Sequence, residues 1–300
     1  MSWVSDAIDV PRETSGILVP KILGFLGSDR DSSPPRATGY HASAMFDFCP
    51  RETALVHRHF KVVPGKEEFS STTLFTFKRG SVTHGILQNG VLAKMGVLVG
   101  WWCKLNTEER VEGVCPQDGG VWEYEEPSFR VSIDGTPDGP QWDLVGACDG
   151  ILVLDGQTVG LEAKSCKTSI YRGLPKAFED MRLIRDWYAA GGGSSKWHDK
   201  YARGHTFQLQ IYLNALGIED GVVLYLPKEP TQDDPPLLEF AVKRDPGVMD
   251  VAKKKIRLVA EAENGGDWRG PVPEGICRTP GCLRAQKCPV VNQCFSGDLA

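Results

Sequence analysis

The stretch VGACDGILVLDGQTVGLEAKS, residues 145–165, decides how this 300-residue chain is read. ACDGILVL predicts a strand, Asp155-Gly156-Gln157 a turn, and TVGLEAKS the returning strand of a β-hairpin. Glu162 and Lys164 are two apart, so the pleat puts both side chains on one sheet face and Ala163 on the other. With Asp149 pairing nearby on that face, two carboxylates and an ammonium meet at one point. Two hard oxygen ligands suit Mg²⁺ or Mn²⁺, and a lysine beside them can steady a hydroxide or a phosphate oxygen. That combination suits metal-assisted hydrolysis of a phosphodiester. An exposed hairpin carrying a same-face ion pair is the other reading of the same residues.

Around the hairpin the charge is uneven. Glu108–Asp155 holds 12 acidic residues against Arg110 and Arg130, while Lys164–Arg203 holds nine Lys/Arg against Glu179, Asp180, Asp186 and Asp199. An acidic segment feeding a basic one fits a cation site beside a polyanion track, and it fits an ordinary solvated surface as well. The net charge of −5 argues against a protein coated in basic residues. No stretch is long and apolar enough to cross a bilayer, and MSWVSDAIDVPRE lacks a signal-peptide pattern, so no membrane partner and a cytoplasmic location are expected. Nine cysteines in such a chain are not expected to form a disulfide framework.

The rest of the chain predicts helices and strands that alternate. A helix is expected from an N-cap at Ser43, kinked or restarted at Pro50, and another over residues 80–96, where Val82, Ile86, Leu87, Val91, Leu92 and Met95 recur at helical spacing. Strands are expected at 97–105 and 128–133, then the hairpin. Helices follow at 174–190 and 206–216, a strand at 221–227, another at 237–242, and a last helix at 247–264. GGGSS at 191–195 reads as a flexible break. The fold class is therefore α/β, a mixed sheet flanked by helices. Residues 1–40 form an extended or mobile arm, 41–264 the core, and 265–300 a cysteine-rich end.

Three further positions carry chemistry. His84 lies upstream of the hairpin, and an imidazole readily joins two carboxylates around a divalent ion. Gln208 and Tyr212 are four apart, hence on one helix face. In this order, His84, Asp149, Glu162-Ala163-Lys164 and Gln208-x-x-x-Tyr212 resemble the RecB-type branch of the PD-(D/E)XK nucleases, over 43–55, 80–88, 144–168 and 204–228. The resemblance implies a restriction-endonuclease-like core. It implies His84, Asp149, Glu162 and the carbonyl of Ala163 as metal ligands, Lys164 as the catalytic lysine, and Gln208 and Tyr212 as the branch's marker pair. Asp138, in IDGTPDG at 133–139, competes for the aspartate role, but only Asp149 is expected in a strand tightly connected to that of Glu162.

Cys277, Cys282, Cys288 and Cys294 fall within eighteen residues, which alone reads as a structural Zn²⁺ site. The resemblance adds Cys49, in FDFCPRE, and implies a [4Fe–4S] cluster that staples the chain's ends through Cys49, Cys282, Cys288 and Cys294, with Cys277 as the alternative to Cys282. The tail's gaps are wider than the family's and one cysteine is in excess. The implied activity is a Mg²⁺- or Mn²⁺-dependent DNA exonuclease acting on DNA with a single-stranded portion or a free end, in a prokaryotic or phage-infected cell. Recombination, repair or CRISPR adaptation, with their proteins as partners, is the implied setting. Lys167, Arg172, Lys176, Arg182 and Arg185 are candidates to track phosphates, and Tyr171 and Trp187 to stack bases. A non-catalytic DNA-binding or scaffolding subunit and a zinc-stabilised binding protein remain as alternatives.

Overall fold

The hairpin forms, and its strands organise everything around it. This computed structural model describes residues 38–60, 80–103, 110–114, 122–184, 187, 196–229, 231–282 and 284–296. Strands β7 (Gly150–Leu154) and β8 (Gln157–Cys166) pair antiparallel, with Leu154 opposite Gln157. The turn is two residues rather than the expected three. Asp155 (φ 49°) and Gly156 (φ 78°) are both left-handed, the type I′ geometry whose twist matches that of the strands.

On its other edge β8 runs parallel to β9 (Asp220–Pro227), which pairs antiparallel with β10 (Leu238–Lys243). Beyond β7 the sheet continues through β2 (Leu98–Cys103) to β3 (Arg110–Val114), and β4 (Trp122–Tyr124) also pairs with β2. A smaller sheet places β6 (Leu144–Ala147) between β1 (Tyr40–His41) and β5 (Ser128–Val131). The expected strand over 147–154 is thus two strands in two sheets, and Asp149 sits at the joint between them rather than inside one.

Helices cover both faces of β8, which explains its buried run from Val159 to Ala163. On one face lies α5 (Trp197–Leu216), buried without interruption from Thr206 to Leu213. Gly160 and Gly221 lie side by side beneath it; a Cβ at Gly160 would meet Leu213 Cδ2 at 2.8 Å, so the pair of glycines lets the helix settle on the sheet. Sequence spacing starts this helix at Thr206, but Trp197–His205 precedes it as helix, because that half is polar and carries no full apolar stripe. Two shorter helices, α3 (Thr168–Tyr171) and α4 (Leu174–Arg182), complete the crossover from β8 to β9.

The opposite face carries α2, a helix over 80–85 that widens to a π-helix over Ile86–Leu92. The expected apolar stripe does not bury as one: Val82, Ile86, Val91 and Met95 are exposed. A π-helix repeats at i→i+5, and the residues it buries are Leu87 with Leu92 and Gln88 with Ala93. Leu87, Leu92 and Ala93 pack with Leu98, Leu152, Val159, Leu161 and Ala163.

Around the smaller sheet, α1 (Pro50–His59) begins at its proline with Cys49 as N-cap, so Pro50 starts the helix that was expected from Ser43. Residues Ala42–Ala44 form only a 3₁₀ turn. The last long helix, α6 (Pro246–Glu263), is capped by the Asp245 side chain accepting from Gly247 N–H. It packs Val248, Ala252, Ile256 and Val259 against Trp142, Leu144 and Phe207. The chain ends in loops and the short α7 (Val291–Phe295). Ala37–Gly65 and Val82–Ala300 form one compact unit. The other, Met1–Arg36 with Lys66–Ser81, lies outside the described residues except for its last two; so do most of the expected arm, the GGGSS break and Arg185. No described helix is long and apolar enough to cross a membrane.

Candidate active site

The pairing of β7 with β8 starts at Gly150, opposite Leu161. From Glu162 to Cys166, β8 therefore pairs only with β9, and a gap opens on its other edge. Asp149 fills that gap. Its Oδ2 accepts the Ala163 backbone N–H at 2.7 Å, a bond that β7 would otherwise have made. Its own carbonyl accepts from Gln88 Nε2 at 2.7 Å and Tyr124 OH at 3.1 Å. Beside it the Cys148 thiol faces the carbonyls of Gly150 and Leu161, and burial pushes this thiol up to about 12. The joint between sheets is thus held by side chains in place of a ladder.

Glu162 is fully buried, and its Oε1 touches the Lys164 ammonium as an ion pair. Neither oxygen receives a well-directed hydrogen bond from the described residues. Lys164 also lies 3.5 Å from Asp149 Oδ2. Burial pushes the Glu162 carboxyl up to about 8, against the pull of Lys164. Burial alone would lower the lysine, but the Glu162 and Asp149 carboxylates outweigh it and hold Lys164 above its ordinary value. Burying a carboxylate without full compensation is unfavourable by several kcal/mol in order of magnitude.

His84 stands on α2 with Nδ1 3.7 Å from Asp149 Oδ1. Glu126 completes a group with them: His84, Glu126 and Asp149 each offer a ligand atom within 4.8 Å of the other two. Gln88 Nε2 bridges this group, donating to Glu126 Oε1 at 3.0 Å as well as to the Asp149 carbonyl. On the far face of the sheet, Gln208 donates to the Tyr212 hydroxyl, and both are buried on α5. Burial, then the Glu162 charge, raises the Tyr212 hydroxyl. The hydrogen bond of this pair is thus internal.

The structure therefore gathers Asp149, Glu162, Ala163, Lys164 and His84 at one gap, with Gln208 and Tyr212 on the helix above. Asp138 is exposed on a loop. Tyr171 does not present a face for stacking: it is 1% exposed, with its hydroxyl donating to Pro235 O. Arg172 is tied to Asp234, whereas Lys167, Lys176 and Arg182 are exposed. Glu126, Gln88, Tyr124 and Cys148 escaped the sequence reading. Only Gln88 left a signal, since it follows His84 by four on the same helical run.

A second cluster lies at the chain's end. Cys49, Cys277, Cys288 and Cys294 line one small cavity of about 10 Å³ together with Glu52 and Arg284. Cys282 is not in its wall; its sulfur accepts from Ala285 N–H at 3.4 Å. Burial and then a hydrogen bond with Cys282 raise the Cys277 thiol, burial raises that of Cys288, and Arg284 contacts both Cys277 and its own ion-pair partner Glu52. The tail is fastened to α1 by arginines: Arg51 donates to the carbonyls of Pro273 and Cys294, and Arg58 to those of Trp268 and Gly270. His57 stacks on Trp268 at 4.0 Å. The tail thus returns to the N-terminal end of α1, where Cys49 lies.

No protein-family model matches the chain, and no curated protein matches it by sequence. Among solved structures it is similar to SSO0001 (13% identity, TM-score 0.42, covering 81% of this chain and 87% of that one). It is similar also to LHK-Exo, an alkaline exonuclease from Laribacter hongkongensis (12% identity, TM-score 0.39, 78% and 92%). A phage-related exonuclease from Haemophilus somnus 129PT gives 8% identity and a TM-score of 0.36, covering 76% of this chain and 95% of that one. These likenesses are distant, and the assignment of chemistry rests on the gap at β8.

Proposed function

We propose that this chain is a divalent-metal-dependent deoxyribonuclease, an exonuclease of the RecB-type branch of the PD-(D/E)XK nucleases. One observation carries the reading: a fully buried Glu162 carboxylate without a directed hydrogen bond, beside Asp149 and Lys164 at an open strand edge. A structural ion pair has no need of a second carboxylate and a break in the ladder. Asp149, Glu162, His84 and the Ala163 carbonyl are the residues to hold Mg²⁺ or Mn²⁺, and the donor set of hard oxygens and one imidazole fits those ions. When bound, the ion supplies Lewis-acid stabilisation of the phosphoryl oxygens and lowers the pKa of a water.

The chain's own residues do the rest. Lys164 holds a positive charge against the scissile phosphate and orients the attacking water, its proton secured by the two carboxylates. The hydrogen bond of Ala163 N–H to Asp149 fixes that carboxylate against the strand. Gln208 and Tyr212 wall the Glu162 side. Exposed Lys167, Lys176 and Arg182, which follow β8, extend a positive track for the phosphates. Recombination, repair or CRISPR adaptation, as a phage-encoded or prokaryotic enzyme, is the setting this reading assigns.

At the chain's end, where Cys49, Cys277, Cys288 and Cys294 line one small cavity, this reading assigns a [4Fe–4S] cluster, with Zn²⁺ as the alternative. This reading takes the alternative in which Cys277 displaces Cys282. The centre's role is to tie the tail to α1.

The test is cleavage of end-labelled single- and double-stranded DNA by anaerobically purified protein, with Mg²⁺, Mn²⁺ or EDTA. Metal-dependent loss of label is expected, and the end that loses label first gives the polarity. No cleavage by folded, metal-replete protein would favour the non-catalytic DNA-binding subunit.

A further inference from the structure

Three rings run along one face of α5 toward the gap. Trp197, Tyr201 and His205 are four apart in sequence, so they share that face. Each touches the next: Trp197 and Tyr201 meet edge to face with ring centroids 6.5 Å apart, and Tyr201 and His205 at 5.2 Å. His205 then meets Tyr225, with Nδ1 2.9 Å from that hydroxyl, and Tyr225 stands opposite Lys164 in the β8–β9 register. Exposure falls along the line, from Trp197 at 45% through half-buried Tyr201 and His205 to buried Tyr225. The hydrolysis makes no use of Trp197, and so open an indole contributes little burial to the fold.

The open end of the line is basic. Lys200 and Lys287 hold their ammonium groups 5.7 and 5.5 Å from the Trp197 ring centroid. Lys200 comes from α5 and is tied to Asp47, whereas Lys287 comes from the tail, is exposed and pairs with no described carboxylate. Lys196 is exposed directly before Trp197. The basic segment after β8 reaches the same end: a Cβ on Gly173, between Lys167 and Lys176, would meet His198 Cγ at 2.7 Å. An open indole flanked by ammonium groups offers a stacking surface to a base and positive charge to the phosphates beside it.

Spacing selects the form of the strand. Residues four apart on a helix are separated by about 6 Å along its axis. Successive nucleotides of a duplex strand are about 3.4 Å apart, so stacked bases do not match the line, whereas an unstacked single strand extends to it.

We propose that Trp197, with Lys200 and Lys287, is a stacking platform for an unpaired base of single-stranded DNA, and that the Trp197–Tyr201–His205 face of α5 leads the strand toward Lys164. This names the form of substrate for the nuclease reading and rests on that reading.

The test reads binding apart from cleavage. Anaerobically purified full-length protein in Ca²⁺ is titrated with a short oligothymidylate and with a blunt duplex, for wild type, Trp197→Ala, Trp197→Phe and Lys287→Ala. Anisotropy of labelled DNA gives the affinity, and quenching of tryptophan fluorescence reports the contact. Trp197→Ala is expected to weaken single-strand binding about tenfold or more and duplex binding by less than about twofold. Trp197→Phe, which keeps a ring, is expected to retain most of the affinity. Lys287→Ala is expected to weaken single-strand binding a few-fold and to reduce its salt slope by about 0.7. Melting temperatures check that each variant folds as wild type does. Single-strand binding by Trp197→Ala equal to that of wild type would overturn the proposal, as would an equal loss on both DNAs or a wild type that binds no single strand. Mn²⁺-dependent cleavage beside any of those results would leave the nuclease reading standing. Selective loss of single-strand binding in Trp197→Ala, with a wild type that cleaves no DNA in Mg²⁺ or Mn²⁺, would support the platform and sink the nuclease.

Discussion

Glu162 and Lys164 sit on a ten-residue strand buried along most of its length, whereas Cys277 and Cys288 sit on loops of the tail and Cys294 on the five-residue α7. Around the hairpin, apolar clusters on both faces of the sheet hold a polar group that is itself unfavourable to bury. Around the cysteines the relation is reversed. Few buried side chains, Ala285 and Val290 among them, anchor the tail, and arginine-to-carbonyl hydrogen bonds from α1 do the fastening. In one region the fold holds the site in place; in the other a bound metal would hold the fold. Removing metal should therefore silence the first region without unfolding it, and loosen the second.

The largest effect is expected at Asp149. Asp149→Asn keeps the shape but removes the charge shared by His84, Glu126, Lys164 and the metal, and cleavage should fall by about 10³-fold. The melting temperature in EDTA should change little. A variant that cleaves within tenfold of wild type would break the assignment of the gap as the catalytic region.

Cys288→Ser should show the opposite pattern. It is expected to lose the iron or zinc measured by elemental analysis and to make the tail after Trp268 sensitive to protease. Cleavage per folded molecule should fall by less than about tenfold, since none of the residues at the Asp149 gap lines the cysteine cavity. Cys282→Ser, outside the cavity wall, should keep its metal. If Cys282→Ser loses metal and Cys277→Ser does not, the cavity's ligand set is wrong.

How much of this contrast was legible in the sequence follows from the length scale of each signal. Glu162 and Lys164 share a face because β-structure repeats every two residues, a rule that needs no tertiary information. Gln208 and Tyr212 were paired by the helix rule in the same way. Asp149, expected inside a strand, lies beside Lys164 and Ala163 at a joint between sheets, and that joint was not visible because the run from Ala147 to Leu154 carries no break signal beyond Gly150. Glu126 reaches the gap from the loop between β4 and β5 and Gln88 through a π-helical phase, and neither route leaves a periodic trace. The cysteines were visible as a group, yet spacing alone does not say which of them line one cavity.

A smaller effect distinguishes the metal-free site. Glu162 ionises near 4.5 when unfolded and near 8 in the buried site, so the unfolded chain releases the proton first as pH rises. In EDTA, stability from this group is complete below pH 4.5 and is lost as pH climbs towards 8, with a slope up to about 1.4 kcal/mol per pH unit. Glu162→Gln should flatten that slope in denaturant titrations, and saturating Mn²⁺ should do so in the wild type.

His205 gives the mirror case. It is buried beside Tyr225, with Nδ1 2.9 Å from that hydroxyl, and burial lowers it to about 3, helped by the Lys164 charge. Its contribution is complete above pH 6.5 and is lost as pH falls towards 3, so His205→Gln should remove one proton's worth of acid sensitivity. An unchanged acid limb would show that His205 is not held neutral.

The most direct measurement compares Lys164→Ala with wild type on the same end-labelled DNA, reading cleavage in Mn²⁺ and binding in Ca²⁺ side by side. Cleavage should drop by about 10²–10³-fold while binding stays within a few-fold. Cleavage by Lys164→Ala comparable to wild type would contradict the account, because no other described cation stands against both Asp149 and Glu162.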